Sequence, residues 1–328
     1  MRLDSSSRLA VGGLVCLLVL ATTLAWGSEL DTVRQAITAA GVSWTAGETS
    51  VSRMSPEQQD RLCGGLAETV PEEAVLRLDT VPADALPASY SWRDVNGKNY
   101  VTPVRNQQTC ASCFVFAPVA ALEARLLRTF ERPGSDIDLS EQIPLACSGA
   151  GDCIAGGYAS TVSTYLKTTG TAKETCYPYT NTDGTCGAAC ANWQNSPFTV
   201  TAWSYANATF PATATLLKTA VYTKGPVVAR MVVYSDLHTY TGGVYAKVSG
   251  ENKGGHFVLV VGWDDSTSAF LVKNSWGTDW GESGYFWIAY SQLASTEVRF
   301  GEWVYVYDGA AGPVAGSVPA ANSLLLGN

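Results

Sequence analysis

Cys113, His256 and Asn274 lie far apart in the chain, yet each has a setting that suits nucleophilic chemistry. A free thiol is mostly protonated near neutral pH, so a nucleophilic cysteine needs a base or a positive environment to become thiolate. Ser112 is a residue type favoured at helix N-caps, and the apolar run from Phe114 carries charge at Glu123, Arg125 and Arg128. The pattern predicts a helix over Phe114–Phe130 with Cys113 at its first turn, where unpaired N–H groups and the macrodipole favour an anion. The chain offers two histidines. His238, in the polar stretch Asp236-Leu237-His238-Thr239-Tyr240, reads as a surface or turn residue. His256 opens the apolar run Phe257–Trp263, which with the turn-like Asp264–Ser268 and the run Ala269–Lys273 has the pattern of a two-stranded hairpin. The first residue of one antiparallel strand lies beside the last of its partner, so His256 and Asn274 fall at the same end. An asparagine amide there can bond one ring nitrogen and leave the other for the thiolate, joining a nucleophile, a base and the group that orients it.

The surrounding residues extend this pattern. They are Asn106-Gln107-Gln108-Thr109-Cys110-Ala111-Ser112-Cys113-Phe114-Val115-Phe116, then Gly255-His256-Phe257-Val258, then N-S-W-G-x-x-W-G-x-x-G-Y from Asn274 to Tyr285. His256 follows Cys113 by 143 positions, and Asn274 lies 18 beyond it. On these motifs and intervals the chain resembles the papain-like cysteine peptidases over roughly Leu86 to Tyr307. The resemblance implies an α+β, two-lobed fold, a helical lobe and a β-rich lobe with the active-site cleft between them. It implies Cys113 as nucleophile, His256 as acid and base, Asn274 as its orienter, and Gln107 as oxyanion-hole donor beside the Cys113 backbone N–H. It also implies a substrate-binding set of Gly156, Gly157, Tyr158, Arg230, Phe257 and Trp276, with Trp276 screening the His256–Asn274 bond from water. Its disulfides would be Cys110–Cys153 and Cys147–Cys186, which leaves Cys176 and Cys190 to pair by exclusion.

The chain departs from the family pattern at Gln108 and Ala111, where glycine is usual, and at Phe114, where tryptophan is usual. Pro118 removes one backbone bond just past the first helical turn. None of these deletes a chemical role; the alternative reading is an inactive homologue that binds peptides or inhibitors. Cys110 and Cys113 formally make a C-x-x-C, but no second such pair and no βαβ pattern accompany it, which argues against a redox dithiol or a zinc site. Aligned with the family's equivalent strand, Lys224–Met231 puts Arg230 at the wall of the pocket for the P2 side chain. An inward, unpaired guanidinium would favour an acidic P2 residue. Strand alternation could instead turn it to solvent, or Glu297 or Glu302 could neutralise it.

Other elements must position these groups. Arg2 and Arg8 precede a charge-free apolar run, Leu9–Ala25, which reads as a secretory signal and is short for a membrane span. The expected organisation is a signal peptide at 1–27, a propeptide at 28–85, a peptidase domain at 86–308 and a flexible tail at 309–328. The propeptide region predicts one helix over Leu30–Ala40 and a capping-box start at Ser55-Pro56-Glu57-Gln58. It has too few large apolar residues for its own core, so an inhibitory segment or a permanent packing arm are the two readings. Six cysteines remain after Cys16, Cys63 and Cys113, an even number that suggests three disulfides in an exported protein. Helices are expected at Ser140–Cys147 and Ala159–Thr168, and strands at Val227–Tyr234, Tyr285–Tyr290 and Trp303–Tyr307, besides those of the hairpin.

The 29 acidic residues against 21 basic ones argue against nucleic acid as a partner. The sequence carries no metal-ligand cluster and no phosphate loop, so no metal and no cofactor are expected. The expected partners are protein or peptide substrates and the chain's own propeptide as inhibitor. A monomer without stable membrane insertion is expected, secreted or extracytoplasmic, vacuolar or lysosomal in a eukaryote. The resemblance also implies that exopeptidase action would need a loop blocking one end of the cleft, and no insertion carrying a second His pair is evident, which favours endopeptidase action.

Overall fold

Apolar residues recur at helical spacing after Cys113 and in near-continuous strand-length runs after Phe198, and the two regions form two facing lobes. The computed structural model describes residues 29–313 apart from 77, 79, 80, 83, 84 and 208. The expected signal peptide and the chain beyond 313 lie outside the described residues. The early elements are α1 (29–40), β1 (Thr45–Ala46), α2 (Pro56–Asp60) and β2 (Ser89–Ser91). The helical lobe holds α3 (Cys113–Thr129), α4 (Gln142–Cys147), β3 (Gly151–Asp152), β4 (Gly156–Gly157) and α5 (Ala159–Thr168). Then come β5 (Thr199–Tyr205), α6 (Ala214–Lys224), β6 (Val227–Tyr234), β7 (Tyr240–Gly242), β8 (Val244–Tyr245) and β9 (Asn252–Asp264). The chain continues through β10 (Ala269–Lys273), β11 (Tyr285–Ala289) and β12 (Val304–Ala311).

Helix α3 is buried on nearly all sides, as expected of an element with apolar residues around its circumference. Pro118 lies inside it without ending it. Disulfides join Cys110 to Cys153, Cys147 to Cys186 and Cys176 to Cys190, all within the helical lobe. The other lobe is a sheet in the order β5-β12-β6-β9-β10-β11-β8, with β2 added on β9. Strand β9 pairs antiparallel with both β6 and β10. Its pairing with β10 shifts midway: Leu271 faces Gly262 but Val272 faces Val260, so Val261 bulges out. Strand β12 runs past Asp308, the expected end of the peptidase domain, as far as Ala311. Asp308 bridges Arg125 and Lys224, and Ala310 pairs with Val200 inside β12. A strand needs only backbone partners, so small residues extend it where composition suggested a loose end.

The described residues of 29–85 have no separate core. Val33, Ile37, Trp44, Val51 and Leu62 are buried in the same hydrophobic cluster as the two lobes. Trp44 Nε1 donates to the Ala246 carbonyl at 2.9 Å, and β1 pairs with β7. Below the interlobe surface, Glu123 is fully enclosed. Its carboxylate accepts bonds from the Thr102 hydroxyl and the Leu139 N–H, while Lys273 Nζ donates to Thr102 Oγ1 at 3.1 Å. Burial pushes Glu123 up and Lys273 down to about 8, and each partner's charge opposes the other's shift.

Glu123→Ala strands a buried ammonium and should cost about 3–5 kcal/mol in urea unfolding. Glu123→Leu combined with Lys273→Met should cost less than the single change. A double variant as unstable as the sum of the two singles would show that the two charges do not act as a pair.

Candidate active site

Cys113 is the first residue of α3 and is fully buried. Backbone N–H groups of Phe257, Gly64 and Phe114 face its sulfur. Burial nevertheless dominates and pushes the thiol up to about 11. Ser112 does not cap the helix with its side chain; its hydroxyl meets the Tyr179 hydroxyl at 2.9 Å instead. On β9, His256 Nε2 lies 2.7 Å from Asn274 Oδ1, which also accepts the Ser275 N–H at 2.8 Å. The oxygen can only accept, so Nε2 carries the proton and Nδ1 is left as the basic nitrogen. Nδ1 has no hydrogen-bond partner among the described residues. Burial pulls the imidazole down to about 4, against the opposing effects of the Asn274 bond and the Leu62 carbonyl.

Trp276 is buried over this pair, its ring 4.9 Å from that of His256. His238 corrects the surface reading: it is 1% exposed, beneath α2, with Nδ1 at 3.3 Å from Gln59 Oε1. The polar stretch folds inward because the Asp236 carboxylate accepts the N–H groups of Val248 and Ser249 and the Tyr245 hydroxyl. Burial pushes His238 down to about 3.

Gln107 is fixed from several sides. Its Oε1 accepts the Ser275 hydroxyl at 2.7 Å, its N–H donates to the Ser275 carbonyl at 2.8 Å, and its carbonyl accepts the Tyr179 hydroxyl at 2.8 Å. The side-chain Nε2 donates to the Cys110 carbonyl at 2.9 Å and to the Leu62 carbonyl at 3.3 Å. Sequence reasoning gave Ser275 and Tyr179 no part; Ser275 lies inside the N-S-W-G run, which was the signal available.

The cleft between the lobes is filled by residues 62–68, a strap laid across both walls. Gly65 N–H donates to the Gly255 carbonyl at 2.7 Å, Gly157 N–H to the Gly64 carbonyl at 2.8 Å, and Leu66 N–H to the Gly157 carbonyl at 3.1 Å. A Cβ on Gly64 would lie 1.9 Å from the Ala111 carbonyl oxygen, and one on Gly156 2.1 Å from that of Gly64, so the backbones meet directly. Lys253 ties Asp60 to the sheet wall at 3.1 Å. Cys63, next to the thiol in space, is free, as is Cys113.

The structure thus gathers Cys113, His256, Asn274, Gln107 and Trp276 with Gly156, Gly157 and Phe257, while Tyr158 stays partly exposed at the rim. Arg230 points inward, but its guanidinium is not unpaired: Nη1 meets Glu302 at 2.5 Å and Nε donates to the Gly65 carbonyl at 3.0 Å. Glu297 pairs elsewhere, with Lys247.

A profile described as papain family cysteine protease matches residues 86–300. The chain is similar to Cathepsin Z of Onchocerca volvulus, 33% identical over 232 residues that cover 66% of this chain and 74% of that protein. It resembles the digestive procathepsin L2 proteinase of Tenebrio molitor larval midgut with a TM-score of 0.66 and 29% identity, over 86% of this chain and 90% of that one. The proCathepsin B S9 structure from Trypanosoma congolense shares the fold, with a TM-score of 0.69 at 23% identity over 86% and 98% of the two chains.

With the strap in place, a thiol held at about 11 is only about one part in 10⁴ thiolate at pH 7. Iodoacetamide should label Cys113 in the intact chain at least ~100-fold more slowly than in protein cut near residue 85. The rates are read by peptide mass mapping, which separates Cys113 from Cys63. Equal rates would mean that residues 62–68 leave the thiol open.

Proposed function

Because this chain belongs to the papain family of cysteine proteases and is a papain-like cysteine peptidase, we propose that it is an exported endopeptidase made as a zymogen. Residues 1–27 are its signal peptide, 28–85 its inhibitory propeptide, and the peptidase domain runs from 86 through the end of β12. The observation that carries the zymogen reading is the strap. Its Leu62 carbonyl sits on Gln107 Nε2 and its Gly64 N–H faces the Cys113 sulfur, where a substrate's reacting amide has to lie. Three disulfides in the helical lobe support an extracytoplasmic site of action.

In the cleared cleft, His256 Nδ1 takes the Cys113 proton and the thiolate attacks the scissile carbonyl. Gln107 Nε2 and the Cys113 backbone N–H stabilise the oxyanion. His256 then protonates the leaving amine, and water, deprotonated by the same ring, hydrolyses the thioester. Asn274 holds the ring by accepting from Nε2, and Trp276 keeps water from that bond. An inactive homologue is disfavoured because every one of these groups is present. Gln108 adopts the left-handed conformation (φ 53°) that the family's usual glycine would supply, and α3 is continuous through Pro118.

Cys113→Ala should abolish hydrolysis of a fluorogenic dipeptide library while leaving thermal unfolding unchanged. Asn274→Ala should lower kcat by at least about tenfold yet leave it measurable, since the base remains. Equal turnover by wild type and Cys113→Ala, in protein free of host peptidases, would sink the mechanism.

Removing residues up to Leu86 should raise activity, because a tethered segment occupies the cleft at high effective concentration. N-terminal sequencing of incubated protein follows the cut. A full-length chain as active as the cut one would count against the zymogen.

A further inference from the structure

Glu68 is the one strap side chain whose carboxylate enters a pocket lined by hydroxyls. It accepts bonds from Ser160 and Tyr305, and the Tyr205 hydroxyl bonds into the same cluster. Both tyrosines are buried, their rings 4.9 Å apart, and Phe257 closes the pocket against Tyr305 at 5.8 Å. The pocket adjoins the Gly156-Gly157 ledge. Ser160 lies three residues beyond Gly157, and Tyr305 sits on β12 opposite Val228 in β6. Gly65, the strap residue paired with Gly157, has its carbonyl on Arg230 Nε.

The charge around the pocket is also unbalanced. Glu302 is shared by two guanidiniums, those of Arg230 and Arg299, so this trio carries one surplus positive charge. The Tyr305 hydroxyl that donates to Glu68 feels both that carboxylate and the Arg230 charge. Removing the strap takes away the carboxylate to which these hydroxyls donate and leaves a net positive wall, and an apolar side chain would satisfy neither.

We propose that this pocket selects substrates with Glu or Asp at the residue whose backbone pairs with Gly157 (P2), and that Glu68 rehearses this contact in the zymogen. The proposal rests on the peptidase reading. Selectivity arises from the hydroxyls of Ser160, Tyr205 and Tyr305, with the Arg230–Glu302–Arg299 trio supplying the sign of charge. Arg230 therefore acts on P2 through the field of the trio, not as a bare guanidinium.

The test measures kcat/KM of strap-free enzyme on fluorogenic dipeptide amides that differ only in Glu, Gln or Leu at P2. Glu is expected to exceed Leu by about tenfold or more, and Tyr305→Phe to cut the Glu-to-Leu ratio by about tenfold. Ser160→Ala, a smaller change to the pocket, should move the ratio in the same direction. Turnover with Leu favoured over Glu, or a ratio unmoved by both variants, overturns the pocket while leaving the peptidase intact. The same peptides are ranked by Kd on Cys113→Ala protein from which the strap has been cut away. Tighter binding of the Glu peptide there, without turnover by wild type, keeps the pocket and sinks the peptidase reading; no preference there overturns the pocket.

Discussion

The His256–Asn274 bond depends on a one-residue bulge in β9. Ala269 pairs with Asp264 at the start of the hairpin. Carried straight through, that register would set Asn274 opposite Leu259 and turn its amide to the face away from His256, because a slip of one residue exchanges the two faces of a strand. The bulge at Val261 brings Lys273 opposite Leu259 instead, and Asn274 follows opposite Val258, on the side of His256. The bulge has its own support. The Val261 carbonyl accepts the Trp92 N–H at 2.9 Å, and a Cβ on Gly262 would lie 2.3 Å from the Tyr90 carbonyl oxygen. The residues that hold the His256–Asn274 geometry in place are therefore those of β2 and Trp92 just after it.

Burial acts on both partners of the proposed proton transfer, in opposite directions. Desolvation disfavours whichever form is charged, so it raises the Cys113 thiol to about 11 and lowers the His256 imidazole to about 4. Both groups are then neutral at pH 7, and the ion pair that a nucleophilic thiol needs is disfavoured while residues 62–68 fill the cleft. The strap does this mainly through backbone contacts at Gly64, Gly65, Gly157 and Gly255, which any sequence small enough could make. Its specific holds are few: Leu62 in the core and Glu68 among the hydroxyls, with Asp60 of α2 anchored on Lys253 just before it.

What the sequence made legible was what repeats. Helix α5 and strand β6 occupy the spans that periodicity predicts, and the α+β two-lobed architecture follows from helical spacing giving way to strand-length runs. Single events were not legible. Phe257–Trp263 is one apolar run with nothing but Gly262 to mark a bulge, and the hairpin argument that placed His256 beside Asn274 passed over the parity problem. His238 was misread because polar neighbours suggest solvent, whereas Asp236 spends its carboxylate on inward bonds. Ser112 has the chemistry of a cap, yet a nearer acceptor and donor, Tyr179, takes its hydroxyl. Tertiary partners of that kind have no local pattern to betray them.

The two walls of the cleft are held by different physics. The sheet wall bearing His256 is built from long paired strands with a continuous apolar core, and no disulfide touches it. The helical lobe includes a small second cluster of Ile143, Ala172, Tyr177 and Trp193, and Cys147–Cys186 and Cys176–Cys190 lie around it. A core of that size needs covalent help. Cys110–Cys153 lies closer to the chemistry: the Ala111 N–H donates to the Cys153 carbonyl at 3.0 Å, two residues before the nucleophile, and Cys153 leads into the Gly156-Gly157 ledge. The position of Cys113 and the Gly156-Gly157 ledge thus depends on an oxidised framework, whereas the position of His256 depends on strand register. A reducing environment would loosen the wall that carries Cys113 and leave His256 in place.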